Sequence, residues 1–126
     1  MLIRRPEEMD GEPMGVEGVK DVSRRLLVGR GDGAETFAMR HFTVEPGGHT
    51  PRHSHNYEHE IYILQGVGRV EHEGEFHEIR TGDSLFIEPN RIHQFSNPGP
   101  SPLKFLCLVP MQFDCADEGM QPVPGT

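Results

Sequence analysis

Three histidines, His53, His55 and His59, stand close together in the stretch from Gly48 to Gly66. On an extended chain, residues two apart point to the same face, so His53 and His55 aim their imidazoles at one point. His59 shares their parity, lies across a short polar break (Asn56, Tyr57, Glu58) and opens the apolar run Ile61-Tyr62-Ile63-Leu64. Read as a strand, that run carries His59 on its inward face together with Ile61 and Ile63. A neutral imidazole is a good ligand for divalent Zn, Fe, Ni, Cu or Mn. Several converging imidazoles are costly to bury unless something occupies the centre. Two plainer readings stand beside this one: a helix with His55 and His59 one turn apart, and a solvated histidine-rich loop. Pro51 and the β-branched and aromatic run argue against the helix.

A second stretch, from Gly82 to Asn97, has an apolar strand, 84–87, followed by His93. Together the two stretches resemble the paired sequence motifs of the cupin superfamily. In the first, Gly47 is followed after five residues by His53-Ser54-His55, and a glycine, Gly66, stands near the far end. In the second, Gly82, His93 and Asn97 fall in their family positions. Glu88 takes the family's proline place with Pro89 after it, and Asn90 replaces a glycine, which its tolerance of left-handed backbone angles allows. The slot for the family's carboxylate ligand falls on His59 if three residues intervene and on Glu60 if four do. Parity favours His59. The resemblance then implies a four-histidine site, His53, His55, His59 and His93, similar to a small-cupin subgroup that binds manganese or a similar metal. It covers about residues 37 to 110 and implies an all-β double-stranded β-helix, the jelly-roll barrel. One divalent transition metal per chain would sit inside, manganese first, with iron, nickel, copper or zinc as alternatives.

Such a site needs short strands to carry it, and the chain supplies them. A polar arm, 1–20, is expected to lie over a neighbour or stay mobile. Residues 25–29 read as a first short strand and 36–44 as a longer one. In the longer strand Phe37, Met39, His41 and Thr43 face one way, and Ala38, Arg40, Phe42 and Val44 the other. Residues 45–48 read as a turn into the first motif. Segments 67–71 and 75–79 form a hairpin about Glu73-Gly74. Strands at 84–87, 94–97 and 103–110 follow, and the tail, 111–126, is a second polar arm. Short strands punctuated by turns describe a sandwich or barrel. The chain reads as a single domain with its barrel core at about 25–110.

Composition agrees. The chain has 126 residues, enough to bury roughly two-thirds of its unfolded surface. Its 15 glycines and 11 prolines favour turns over long helices. A net charge of −8 disfavours nucleic acid and anionic membrane as partners. Cys107 and Cys115 fit a reducing compartment rather than a disulfide framework. The first ten residues lack the apolar core of a signal peptide, and no span is apolar enough for a membrane, so a cytoplasmic protein is expected. Several strands are apolar on both faces: Ile61 and Ile63 against Tyr62 and Leu64, and Phe105, Cys107 and Val109 against Leu106 and Leu108. A second copy covering the outer face, a homodimer, is the expected remedy.

Other residues are weaker candidates. Phe95, Cys107 and Phe42 are candidates for the pocket, with Phe86 behind them. Cys107 shares parity with Phe105 and Val109, and Phe95 with His93. Glu60 is expected to point outward toward Arg52, and His41 and His49 to act at most as outer groups. Four neutral ligands leave the metal's two charges uncompensated, which favours an anionic or chelating small molecule. Two adjacent open positions permit oxygen chemistry. The resemblance therefore points to a metal-dependent oxygenase, dioxygenase-like, acting on a small substrate in the barrel. A non-catalytic module that binds or senses a small ligand or metal is the alternative. An isomerase of the family lacks here the carboxylate base it would need beside the metal.

Overall fold

The structure, a computed structural model, describes residues 1–113 and the backbone of 120–122. Eleven strands are described: β1 (Glu12–Pro13), β2 (Lys20–Val28), β3 (Phe37–His49), β4 (His53–His55), β5 (His59–Gln65), β6 (Val67–His72), β7 (Glu75–Arg80), β8 (Ser84–Ile87), β9 (His93–Ser96), β10 (Leu103–Pro110) and β11 (Met120–Pro122). All their pairings are antiparallel. One path runs β11-β4-β9-β3-β10-β5-β8, with β2 and β1 added beside β3, and β6 and β7 beside β9. The sheet curls on itself in the jelly-roll manner. Among the described residues, no helix is long and apolar enough to cross a membrane.

Alternation with period two decides which side chains fill the interior. In β10, Leu103, Phe105, Cys107 and Val109 are buried while their neighbours are half-buried. Ile61 and Ile63 of β5, Ala38, Phe42 and Val44 of β3, and Phe95 of β9 meet them. Tyr62 and Phe86 point outward from β5 and β8 and remain exposed.

Two strands run further than the sequence indicates. β2 begins at Lys20, not at 25, because Asp21 takes a left-handed φ of 51° and lets the ladder to β3 continue through a register shift. β3 does not turn at 45–48. Gly47, at φ 81°, bends it, and the ladder resumes through Gly47 N–H to Asn97 O at 2.8 Å and Asn97 N–H to Gly48 O at 3.0 Å. A side chain at Gly48 would lie 2.7 Å from the carbonyl oxygen of Lys20, so the strands can meet there only on a glycine.

The N-terminal arm lies over its own sheet. β1 pairs with β2, Arg25 donates to Met9 O at 2.9 Å, and Arg4 grips Asp32 at 2.8 Å. His41 and Thr43, on the outward face of β3, are buried. In the C-terminal arm, β11 pairs with β4 in the register Met120↔His55 to Pro122↔His53. Cys115 lies outside the described residues.

Candidate metal centre

Three strands deliver the four histidines to one place. His53 and His93 face each other as cross-strand partners on β4 and β9. His55 follows His53 on the same face of β4, and His59 opens β5. All four are buried, and one nitrogen from each lies within 4.8 Å of the others. Nitrogens opposite one another across a metal with bonds of about 2.1 Å sit about 4.2 Å apart. The cluster therefore needs only a slight contraction to close on an ion. The helical and solvated-loop readings of this stretch are excluded.

The outer nitrogens settle which inner ones carry lone pairs. His53 Nδ1 donates to Pro51 O at 2.8 Å, His55 Nδ1 to Tyr57 O at 2.7 Å and His93 Nδ1 to Arg91 O at 2.9 Å. A backbone carbonyl only accepts, so each of these rings is fixed with Nδ1 protonated and Nε2 free to coordinate. His59 Nδ1 instead meets Cys107 Sγ at 2.8 Å. At the centre, His55 Nε2 and His59 Nε2 approach to 2.6 Å, and His93 Nε2 is buried with no hydrogen-bond partner. Lone pairs so close repel unless a cation or a shared proton lies between them. The donor set fits a borderline divalent metal.

Electrostatics point the same way. Burial, then the neighbouring His93 and His55, push His53 down to about 3. Burial, then His93, brings His55 to about 4. Burial holds His59 well below its ordinary value, with His55 next, and burial also lowers His93. All four are neutral at neutral pH, the form that binds metal.

The second motif is tied to the first through the backbone. Asn90, in the place of the family's glycine, takes φ 65° and donates its N–H to His55 O at 2.7 Å. Asn97 is buried; its amide donates to Val44 O and Ser101 O, both at 2.8 Å, and accepts from Gly99 N–H at 3.1 Å.

Phe95, Cys107 and Phe42 line a cavity of about 40 Å³ beside the histidines, with room for a few water-sized groups. Phe86 is 57% exposed and takes no part. Glu60 also stays outside: its side chain is on the outer face beside Glu58, and burial with that neighbour raises it to about 7. Arg52 is not its partner but grips Glu71 at 2.8 Å. His49 contacts Thr50 O and Gln94, and His41 lies on the outward face, so neither reaches the centre.

Sequence reasoning passed over two cavity residues. Tyr57, taken as part of a polar break, is buried; its ring stacks on His55 at 3.9 Å and on Phe113 at 3.9 Å. Its parity with His55 and His59 was the available signal. Arg40, on the inward face of β3, is buried against Cys107.

A curled antiparallel barrel with four convergent imidazoles in its interior defines a jelly roll whose interior could hold a metal ion. The profile of the cupin domain family matches residues 40–109, and the chain belongs to that family. It is similar to the polyketide cyclase RemF from Streptomyces resistomycificus, with a TM-score of 0.89 and 29% identity, covering 100% of this chain and 87% of that one. A cupin-2 domain protein from Rhodospirillum rubrum gives a TM-score of 0.80 and 28% identity, covering 99% and 81%. The chain is also 33% identical over 95 residues to the 1-methylthio-D-xylulose 5-phosphate methylsulfurylase of Rhodospirillum rubrum, covering 75% of this chain and 60% of that protein. It spans from 16% to 60% of the length of the curated relatives it matches.

Proposed function

We propose that this cupin is a metal-dependent enzyme acting on a small, enolisable carbonyl compound, with ring closure as its reaction class. The observation that carries the reading is the convergence of four imidazole nitrogens beside an aromatic cavity that, among the described residues, no carboxylate lines. The full-length likeness to a polyketide cyclase supports the reaction class. His53, His55, His59 and His93 would hold one divalent ion per chain, manganese first among the candidates. The ion, when bound, supplies a Lewis acid that polarises a carbonyl or enolate oxygen. The protein supplies the rest. Backbone carbonyls and Cys107 fix the rings, while Phe42, Phe95 and Phe105 exclude water and shape the cavity.

A dioxygenase acting on the same kind of compound is the second reading, favoured by the all-nitrogen donor set, which leaves coordination positions free. One experiment separates the two and a purely binding module. Protein loaded with manganese or iron is incubated with short linear triketones, which carry 1,3-dicarbonyl units and can close a six-membered ring with loss of water, and oxygen uptake and product mass are followed together. Loss of water without oxygen uptake supports ring closure; gain of oxygen with uptake supports the dioxygenase. Tight binding with neither overturns both and leaves the binding module.

The outer face of β5 and β8, with Tyr62, Leu64 and Phe86 exposed, is proposed to pair with a second copy. Sedimentation at micromolar concentration tests this, and a monomer refutes it. The buried free thiol of Cys107 suits a reducing, cytoplasmic setting.

A further inference from the structure

Arg40 is 3% exposed, yet among the described residues no carboxylate pairs with it. One Nη donates to Cys107 Sγ at 3.2 Å, and the guanidinium lies 5.1 Å from the centroid of the Phe42 ring. Its Nε has no hydrogen-bond partner. A buried charge is kept when something completes it, because a guanidinium taken out of water and left unpaired costs several kcal/mol. Arg40 lines the same cavity as His53, His59 and His93, and its charge helps lower His53, His55 and His59, so it sits close to the centre. Among the described residues, no Asp or Glu lines that cavity. The interior therefore holds a permanent positive charge with an unused donor beside four metal-ligating nitrogens.

We infer that Arg40 is an anion-binding residue of the pocket, taking the carboxylate of a small oxo acid whose carbonyl oxygen lies toward the histidine cluster. The planar fork of a guanidinium matches a carboxylate, and an interaction with a charged acceptor is about twice as strong as a neutral one. This rests on the proposed function and narrows it. Among enolisable carbonyl compounds, the substrate class is one carrying a carboxylate. Arg40 would set which end of the molecule enters first, and Phe42, lying against the guanidinium, holds it in place.

The test compares pyruvate with its neutral isostere pyruvamide, by calorimetry and thermal melting, on the metal-free and the manganese-loaded full chain. Wild-type protein should prefer pyruvate by roughly tenfold or more in both forms, because Arg40 acts without the metal. Arg40→Met should keep its equivalent of manganese and lose the preference in the metal-free form. Arg40→Lys, which keeps the charge without the fork, should retain only part of it. Equal binding of the two probes to metal-free wild type, binding of neither, or a full preference in Arg40→Met overturns the assignment. If Arg40→Met does not fold, Arg40→Lys decides: undiminished discrimination overturns it, and a loss of roughly threefold or more upholds it. A wild-type chain that takes up none of manganese, iron, nickel, copper or zinc refutes the metal-dependent reading separately, since the metal-free comparison still judges Arg40.

Discussion

Acid should unfold the metal-free protein, and the histidine cluster fixes how steeply. An ordinary histidine, with a pKa of about 6.5, is almost fully protonated in the unfolded chain at about pH 5. His53, held at about 3 in the folded chain, is not. As pH falls from about 7 to about 5, the unfolded chain takes up a proton that the native state refuses, and the mismatch removes about 2 kcal/mol. That loss is set by the unfolded value wherever the folded one lies below the pH of the assay. His55, at about 4, meets this condition, and His59 lies well below its ordinary value. His53 and His55 together remove about 4 kcal/mol, a large part of the stability of a small domain, and His59 acts in the same direction. The folded pKa values are depressed, so the stability is present above about 6.5 and is lost as pH falls below it. Glu60, raised to about 7, runs the other way, and the measurement belongs in a Glu60→Gln background. Urea unfolding in the presence of a chelator, followed by far-ultraviolet circular dichroism, gives the free energies. A change of less than about 1 kcal/mol between the two pH values refutes the buried, neutral cluster.

Metal analysis of wild-type protein should find one equivalent per chain, lost in His53→Ala and His93→Ala and kept in Glu60→Gln; an empty Glu60→Gln site refutes the assignment of His59. His59→Glu should hold metal better than His59→Ala, since a carboxylate restores a ligand at that position. Asn97→Ala strips the partners from two carbonyls and one N–H, and should cost about 2–4 kcal/mol in urea unfolding with no change in metal content when folded. Gly66→Ala forces a side chain to within 2.5 Å of the carbonyl oxygen of Pro102 at φ 93°, and should lower the melting temperature by at least the equivalent of about 2 kcal/mol.

Parity carried most of what was legible in the sequence. His53, His55 and His59, the inward Ile61 and Ile63, and the alternation of Phe105, Cys107 and Val109 all follow from one rule of strand geometry, and the structure keeps each. What failed was local. Glu45-Pro46-Gly47-Gly48 has the composition of a turn, but hydrogen bonds to the distant Asn97 hold it in the ladder. No local pattern reveals a partner so far away in the chain. The N-terminal arm looked unanchored because Arg4 and Arg25 find their acceptors only once β2 is in place. Phe86 has the same composition signature as Phe42 and Phe95, and only the sheet shows that its face is the outer one.

The three carbonyl-anchored imidazoles bear on how the protein would come by its metal. Pro51, Tyr57 and Arg91 orient these rings through backbone carbonyls and not through the ion, so loading needs only the slight contraction that closes the cluster. Loading then requires no folding, and exchanging one ion for another requires no unfolding. A rigid all-nitrogen socket binds first-row ions in their intrinsic order, in which copper and zinc outrank manganese. The ion found in protein purified from a foreign host would then record that host's metal pool more faithfully than the metal used in the native cell.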